Sequence, residues 1–317
     1  MNNTPSTEER VWAVLSHLSA VAFGMGLLIP VIGWSEQRRK SKYASFQCLQ
    51  ALGYQSLGYT VWFLSYLVLM ILVIVVFTMV VSLMETGTGR NSAAMGMGTG
   101  IVLTLLFLGG FALYFILPVL AAISCAMGRD FRYPIMGDRL ARYLGYDPTA
   151  DADEPAWLIE DHEDRWVSAM GHISVIIPLW GLLSPATAWV LQGKRSLFLK
   201  FQSMQTVAYQ ILVNVLNMGA GVIYMFGFII FIVLTGFEVG GPSSSGMIGL
   251  VALGLSMLVA MLIVLIVPLL HILGQWAGYR VLKGDDYHYP LLGKLVERWT
   301  QKSMVQPLVN VSAQATE

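Results

Sequence analysis

Six long apolar stretches constrain this chain more than anything else in it: Val11–Trp34, Leu52–Met84, Met97–Met127, Trp166–Leu191, Thr206–Thr235 and Met247–Gly278. A run of about 18 or more apolar residues can cross a bilayer as a helix. Inside hydrocarbon the backbone has no water to bond, so such runs must be helical. Only 12% of the 317 residues are charged, against roughly 25% in a soluble protein. The expected fold is an all-α integral membrane protein whose main partner is the lipid bilayer. A formal net charge of zero gives no electrostatic case for nucleic acid. The first ten residues carry Glu8 and Glu9 and no early basic cluster, so no cleaved signal is expected.

The stretches are related in pairs. Shifted by 155 residues, positions 8–55 align without a gap on 163–210, with 16 of 48 positions identical. The identities include His17/His172, Pro30/Pro185, Trp34/Trp189, Phe46/Phe201, Gln47/Gln202, Gln50/Gln205, Tyr54/Tyr209 and Gln55/Gln210. A second matched block, Gly128–Gly137 and Gly284–Gly293, follows each long helical pair. The chain thus reads as two tandem copies of a module with three apolar helical segments. The first membrane repeat covers 1–146 and the second 165–299, with an acidic linker over 147–164 and a polar tail over 300–317. The linker holds eight of the nineteen acidic residues. It reads as a solvated connector; Asp161, His162 and Asp164 lack a spacing that defines a metal site.

Loop charge bears on topology. Three crossings per repeat would invert the second copy and split Lys and Arg almost evenly between the two sides. An even number places all nineteen except Arg90 on one side, the cytoplasmic one by the positive-inside rule. The first segment of each repeat is the one expected not to cross. It is broken by Gly24, Gly26 and Pro30 in one copy and by Pro178, Gly181 and Pro185 in the other, and Pro removes a helix hydrogen bond. Such a segment can enter and return on one side if protein covers its backbone. Inverted repeats, as in many transporters, are the rival arrangement. Both termini are expected on the cytoplasmic side of a bacterial cytoplasmic membrane. Gly-rich Thr86–Gly100 and Gly236–Gly246 read as short turns on the far side.

A basic loop runs into an amide-bearing helix in both copies. Gln47 and Gln50 lie on one helical face with Tyr54, and Gln55 about 80° round from Gln47. The second copy has Gln202, Gln205 and Gln210, extended by Asn214 and Asn217. Amides are costly against lipid, so this stripe either bonds other helices or lines a polar path. The matching positions in repeat one are Tyr59 and Trp62, so any path leans on repeat two. His17 and His172 sit near the same interface as hydrogen-bonding or relay candidates. Arg38, Arg39, Lys40 and Lys42, with Lys194 and Arg195, read as topology anchors that also contact anionic lipid. Cys48 and Cys125 read as packing residues. Tyr133-Pro134 and Tyr289-Pro290 each precede an amphipathic stretch suited to the membrane interface. No nucleophile elbow, phosphate loop, zinc-protease motif or Cys pair occurs; neither enzyme activity, cofactor nor metal is expected.

These residues carry a resemblance. The run Trp12 to His17, the prolines, the basic loop, Phe46 with Gln50-Ala51-Leu52, and Phe131-Arg132-Tyr133-Pro134 resemble a family of small bacterial membrane proteins of unknown function. That family is related to the channel subunit of the chloroplast inner-envelope (Tic) protein translocon, to which Lys200–Val207 is especially similar. The resemblance implies four spans with both ends on one side. The plastid protein has two apolar segments before its basic loop where each repeat here has one. Two functions are open: a structural or scaffolding membrane protein linked to protein translocation or insertion, acting with other membrane proteins or with further copies of itself, or a small-solute channel or carrier lined by repeat two.

Overall fold

The computed structural model describes residues 4–85, 89–147, 157–235 and 244–300, and among these every regular element is helical. They fall into two compact units, Met1–Met170 and Gly171–Glu317. The division lies inside a helix, and the second unit starts six residues beyond the sequence-based start of repeat two.

In the first unit, Ser6 opens α1 (Thr7–Leu18) through a capping box. Its hydroxyl accepts from the Glu9 amide at 3.3 Å, and Glu9 returns a bond to the Ser6 amide. This reciprocal pairing satisfies two otherwise orphaned donors. A 3-10 stretch, Ser19–Leu27, breaks at Ala22 and at Phe23, whose φ is 52°. The chain then reverses into α2 (Leu28–Gln37). By composition and length Thr7–Gln37 could cross a membrane as one rod. As a straight helix it would separate Trp12 from Gly33 by about 30 Å. Instead a Cβ placed on Gly33 would sit 3.0 Å from Trp12 and 3.2 Å from Ser16, so α1 and α2 are the arms of a hairpin. Gly26 permits the crook, because a Cβ there would fall 2.0 Å from the Ser19 carbonyl oxygen.

The hairpin's tip is apolar and exposed at Val21, Phe23 and Met25. Phe23 packs edge-on to Phe115, ring centres 5.2 Å apart. Phe115 lies eleven residues from the end of α4 (Gly89–Ala126), a depth of about 17 Å. That is roughly half of a 30 Å hydrocarbon core. The arms are therefore sized to enter halfway and return. The other helices long and apolar enough to cross are α3 (Lys42–Glu85) and α4, antiparallel partners that meet where Tyr54 stacks on Tyr114 and Trp62 nears Phe107. The short amphipathic α5 (Met136–Leu144) follows. It buries Leu140 and Leu144, exposes Arg139 and Arg142, and ends at Gly145 with φ 68°.

α6 (Glu160–Ile173) closes the first unit with its opening turns and begins the second. Within the second unit the chain turns at Ile177 and at Leu179, which has φ 63°, then returns as α7 (Leu183–Gln192). Gly181 sits 2.1 Å, measured from a virtual Cβ, from the Ser174 carbonyl oxygen, the crook of the first hairpin repeated. The crossing pair is α8 (Leu197–Thr235) and α9 (Ser244–Leu282), and residues 292–300 form the counterpart of α5. Hence the chain is an all-α membrane protein built from two copies of a hairpin plus two spans.

Two expectations need amendment: Gly89–Gly100 is the start of α4 and residues 244–246 the start of α9, where turns are expected. Each glycine costs the helix roughly 1 kcal/mol relative to alanine, but once the apolar run from Ile101 is helical each further residue adds a backbone hydrogen bond without a new nucleus, so α4 extends through them. Residues 86–88, 236–243, the linker over 148–156 and the tail over 301–317 lie outside the described residues.

Candidate functional site

The polar groups predicted on the α3 face meet at the foot of the first hairpin. Gln47 is fully buried, as are His17 and Gln50. His17 Nε2 lies 3.0 Å from Gln47 Oε1, and Nδ1 lies 3.0 Å from the Tyr133 hydroxyl. An amide oxygen can only accept, so the ring carries its proton on Nε2 and accepts from Tyr133 at Nδ1. Gln47 Nε2 donates to Asp130 Oδ1 at 2.9 Å and to the Phe131 carbonyl at 3.0 Å. Gln50 Nε2 donates to Gln47 Oε1 and to the Phe131 carbonyl, while its oxygen accepts the Tyr133 amide at 2.9 Å. Tyr54 stacks on Tyr133 with ring centres 4.0 Å apart. One helical turn further in, Gln55 donates to the Ser16 carbonyl and the Ser19 hydroxyl inside the crook.

These bonds tie three segments into one latch: the hairpin, the start of α3 and the loop that ends α4. The loop contributes Asp130, Phe131 and Tyr133, residues of the second matched block that sequence reasoning had not connected with the amides. The signal was available, since both blocks recur together in each repeat.

The second unit repeats the latch bond for bond. His172 bridges Tyr289 and Gln202 at 3.0 Å each. Gln202 donates to Asp286 at 2.7 Å and to the Tyr287 carbonyl. Gln205 donates to Gln202 and to that carbonyl, both at 2.6 Å, and accepts the Tyr289 amide. Tyr209 stacks on Tyr289 at 3.9 Å. Gln210 reaches the Gly171 carbonyl and the Ser174 hydroxyl. Thr206 adds a hydroxyl 2.9 Å from His172 Nδ1, where repeat one has Ala51.

The two asparagines part company. Asn214 accepts the amide of Leu179, the positive-φ residue at the hairpin tip, at 2.9 Å, and donates to the Gln210 carbonyl. It caps backbone that lipid could not satisfy. Asn217 is exposed on α8.

The basic loops differ too. Arg38, expected at the lipid surface, is instead buried. Its Nε lies 3.0 Å from Glu163 Oε2, and a terminal nitrogen lies 3.0 Å from Glu160. Trp34 Nε1 donates to the other Glu163 oxygen. Arg38 turns inward because an uncompensated buried carboxylate costs far more than a surface arginine gains. Burial pushes the Glu163 carboxyl up to about 7, against the opposing pull of Arg38 and Trp34. Trp166 locks the same turns of α6 in place, donating to the Leu49 carbonyl at 2.9 Å and packing on Gly53. Arg39, Lys40, Lys194 and Arg195 are exposed and Lys42 half-buried; Arg39 pairs with Glu160 and Lys40 with Glu36. His162 stacks on Tyr143 and bonds its carbonyl, Asp161 pairs with Arg165, and Asp164 faces Arg38. No group of three His, Cys, Asp or Glu among the described residues could hold a metal.

Comparison with known proteins gives one family. No curated protein matches the chain, and no solved structure does. The family described as the magnetosome magnetite crystal formation protein family matches residues 8–140 and again 163–296. Each match begins at the N-terminal arm of a hairpin and ends in the amphipathic helix after its latch, so the family's unit is the module seen here. The chain belongs to the magnetosome magnetite crystal formation protein family and carries its unit twice in tandem.

Proposed function

We propose that this chain is a non-enzymatic structural protein of the membrane at which magnetite crystals form. The observation that carries the reading is the duplicated latch. Its histidines and the amides of Gln47, Gln50, Gln202 and Gln205 are buried and bonded within their own unit, which supports a brace rather than a reaction centre. A hairpin reaching halfway through the bilayer beside two full spans makes each module a wedge in one leaflet. Family membership supports the setting. The concentration of Lys and Arg at the hairpin ends supports an origin in the bacterial cytoplasmic membrane, with both termini cytoplasmic. Exposed Arg39, Lys40, Lys194 and Arg195 suit anionic headgroups there. Assembly with other membrane proteins, or with further copies of the chain, suits a scaffold. A narrower role in inserting proteins into that membrane follows only from the translocon resemblance; a co-purifying insertion partner would support it. No observation favours a solute path, since the other amides it would use are engaged and Asn217 is exposed on the surface of α8.

The test is genetic. A magnetite-forming bacterium lacking the chain should make crystals of altered size or number, restored by the parent sequence. The Gln47→Leu, Gln202→Leu double variant should not restore them. Unchanged crystals on deletion would remove the proposal. Labelling of Lys40→Cys and Lys194→Cys from opposite faces would remove the topology.

A further inference from the structure

We infer that the groove between α3 and α4 binds one anionic phospholipid of the surrounding bilayer, its tail along the groove and its phosphate on Arg139. The groove encloses about 570 Å³ and is walled by Leu57, Val61, Leu72, Phe107 and Phe111, with Gly110 opening its side. That volume falls within the usual range for small-molecule sites. Ser65, a polar group in the wall, is turned onto the Val61 carbonyl at 2.8 Å, leaving an apolar lining. Fifteen residues of α3 separate Leu57 from Leu72, about 22 Å of helix. This exceeds one leaflet's half of a hydrocarbon core about 30 Å thick, so an acyl tail standing along α3 stays inside the groove.

The end of the groove supplies the charge. Met136, the first residue of α5, is part of the lining. Arg139 lies three residues on, on the same helical face, about 5–6 Å away between Cβ atoms. It is exposed. The neighbouring carboxylate, Asp138, is taken by Arg132 at 2.7 Å, and Arg139 pairs with no carboxylate among the described residues. A guanidinium at the membrane interface grips phosphate through two parallel bonds. Ile135, with φ 66° and 79% exposure, projects its side chain at the same end. Its counterpart Leu291 has φ 67° and is exposed as well, so an apolar side chain at this place belongs to both units, and at this end the arginine alone distinguishes the first.

The second unit shows that groove and charge go together. Position 72 corresponds to Gly227, where a Cβ would fall 1.8 Å from Ser256 Oγ, so α8 and α9 close against each other. Phe111 corresponds to Val267, which is buried, and Arg139 to Leu295. The unit without the opening also lacks the arginine.

Native mass spectrometry of the full chain from mild detergent, loaded with phosphatidylglycerol and phosphatidylcholine of matched tails, tests this. The parent should hold one phosphatidylglycerol, preferred roughly tenfold over phosphatidylcholine, which offers Arg139 the same phosphate but brings a choline cation beside the guanidinium. Gly110→Phe fills the groove from a position whose Cβ would meet nothing within 4 Å; it should release both lipids, with Gly110→Leu as the smaller intrusion if Phe prevents folding. Arg139→Gln should keep the tail but bring the preference to within about twofold. The proposal is overturned if the parent retains no lipid, if both filled variants retain it, if Arg139→Gln keeps the preference, or if a dimer is lost with the groove, which would make a second copy the occupant.

Discussion

The two repeats agree in the latch and differ in how their two long helices pack. Every bond of the latch recurs, down to the stacked tyrosine pair and the glycine in each crook. Above it, α3 and α4 leave a groove lined by Trp62, Leu72, Phe107 and Phe111, whereas α8 and α9 interdigitate through Gly227 and Ser256. The contrast follows from the solvent. A missed hydrogen bond in hydrocarbon is costly and has few substitutes, so the latch tolerates little change. Apolar contacts between spans compete only with lipid of the same polarity, so helix spacing can drift toward a new use.

The sharpest way to break the comparison is to cut each latch separately. Gln47→Leu removes an acceptor for His17 and Gln50 and a donor to Asp130 and Phe131; Gln202→Leu does the same in the second unit. Each leaves several buried groups unpaired at about 1–3 kcal/mol apiece, a loss of several kcal/mol in total. Unfolding midpoints in detergent should fall by similar amounts for the two variants. A large fall in only one would show that the copies, though equal in geometry, are unequal in use.

A second test concerns Glu163. It matches Glu8, yet Glu8 is exposed and accepts from Gln37 at 2.9 Å, while Glu163 is buried against Arg38. Burial raises the folded Glu163 carboxyl from 4.5 to about 7. The unfolded chain therefore gives up this proton first as pH rises. The stabilisation is full below pH about 4.5 and is lost on passing through 7, on the order of 3 kcal/mol. Hydrogen exchange should show protection in α2 and the first turns of α6 falling between pH 5 and 7.5, and Glu163→Gln should flatten that fall. Protection that rises over this range would mean pairing with Arg38 outweighs burial.

How much of this was legible in the sequence varies by residue. The prolines and glycines of each first segment pointed to a break, and the hairpins follow from it. The amides pointed to polar partners, but helical spacing shows only which residues share a face, not what the face meets. Asp130 and Tyr133 lie more than 80 residues from Gln47, beyond any local pattern. Arg38 looked like its exposed neighbours because nothing local announces the carboxylate that buries it. Gly89–Gly100 misleads because glycine signals turns locally, while a long helix already formed in the adjoining apolar run extends through it.

Helix spacing gives the third test. Gly227→Leu places in α8 the residue that α3 carries at Leu72. Overpacking against Ser256 should cost about 1–3 kcal/mol, whereas Leu72→Gly should cost less, since Leu72 is 43% exposed. Cysteine cross-linking across each pair reads the spacing directly. If Gly227→Leu leaves α8 and α9 as close as before, position 72 is not what opens the groove.

The smallest effect separates the two asparagines. Asn214→Leu strips the cap from the Leu179 amide at the hairpin tip and should cost about 1–2 kcal/mol. Asn217→Leu removes an exposed amide from α8 and should be neutral or slightly stabilising, because leucine is cheaper to place against lipid. In repeat one the matching residues are Tyr59 and Trp62, and the tip is covered by Phe111 and Phe115 instead of an amide. Asn214→Tyr should therefore recover part of what Asn214→Leu loses only if ring packing can replace a backbone cap. No recovery would mean that the second hairpin, with its extended Ile177 and its positive-φ Leu179, needs its hydrogen bond in a way the first does not.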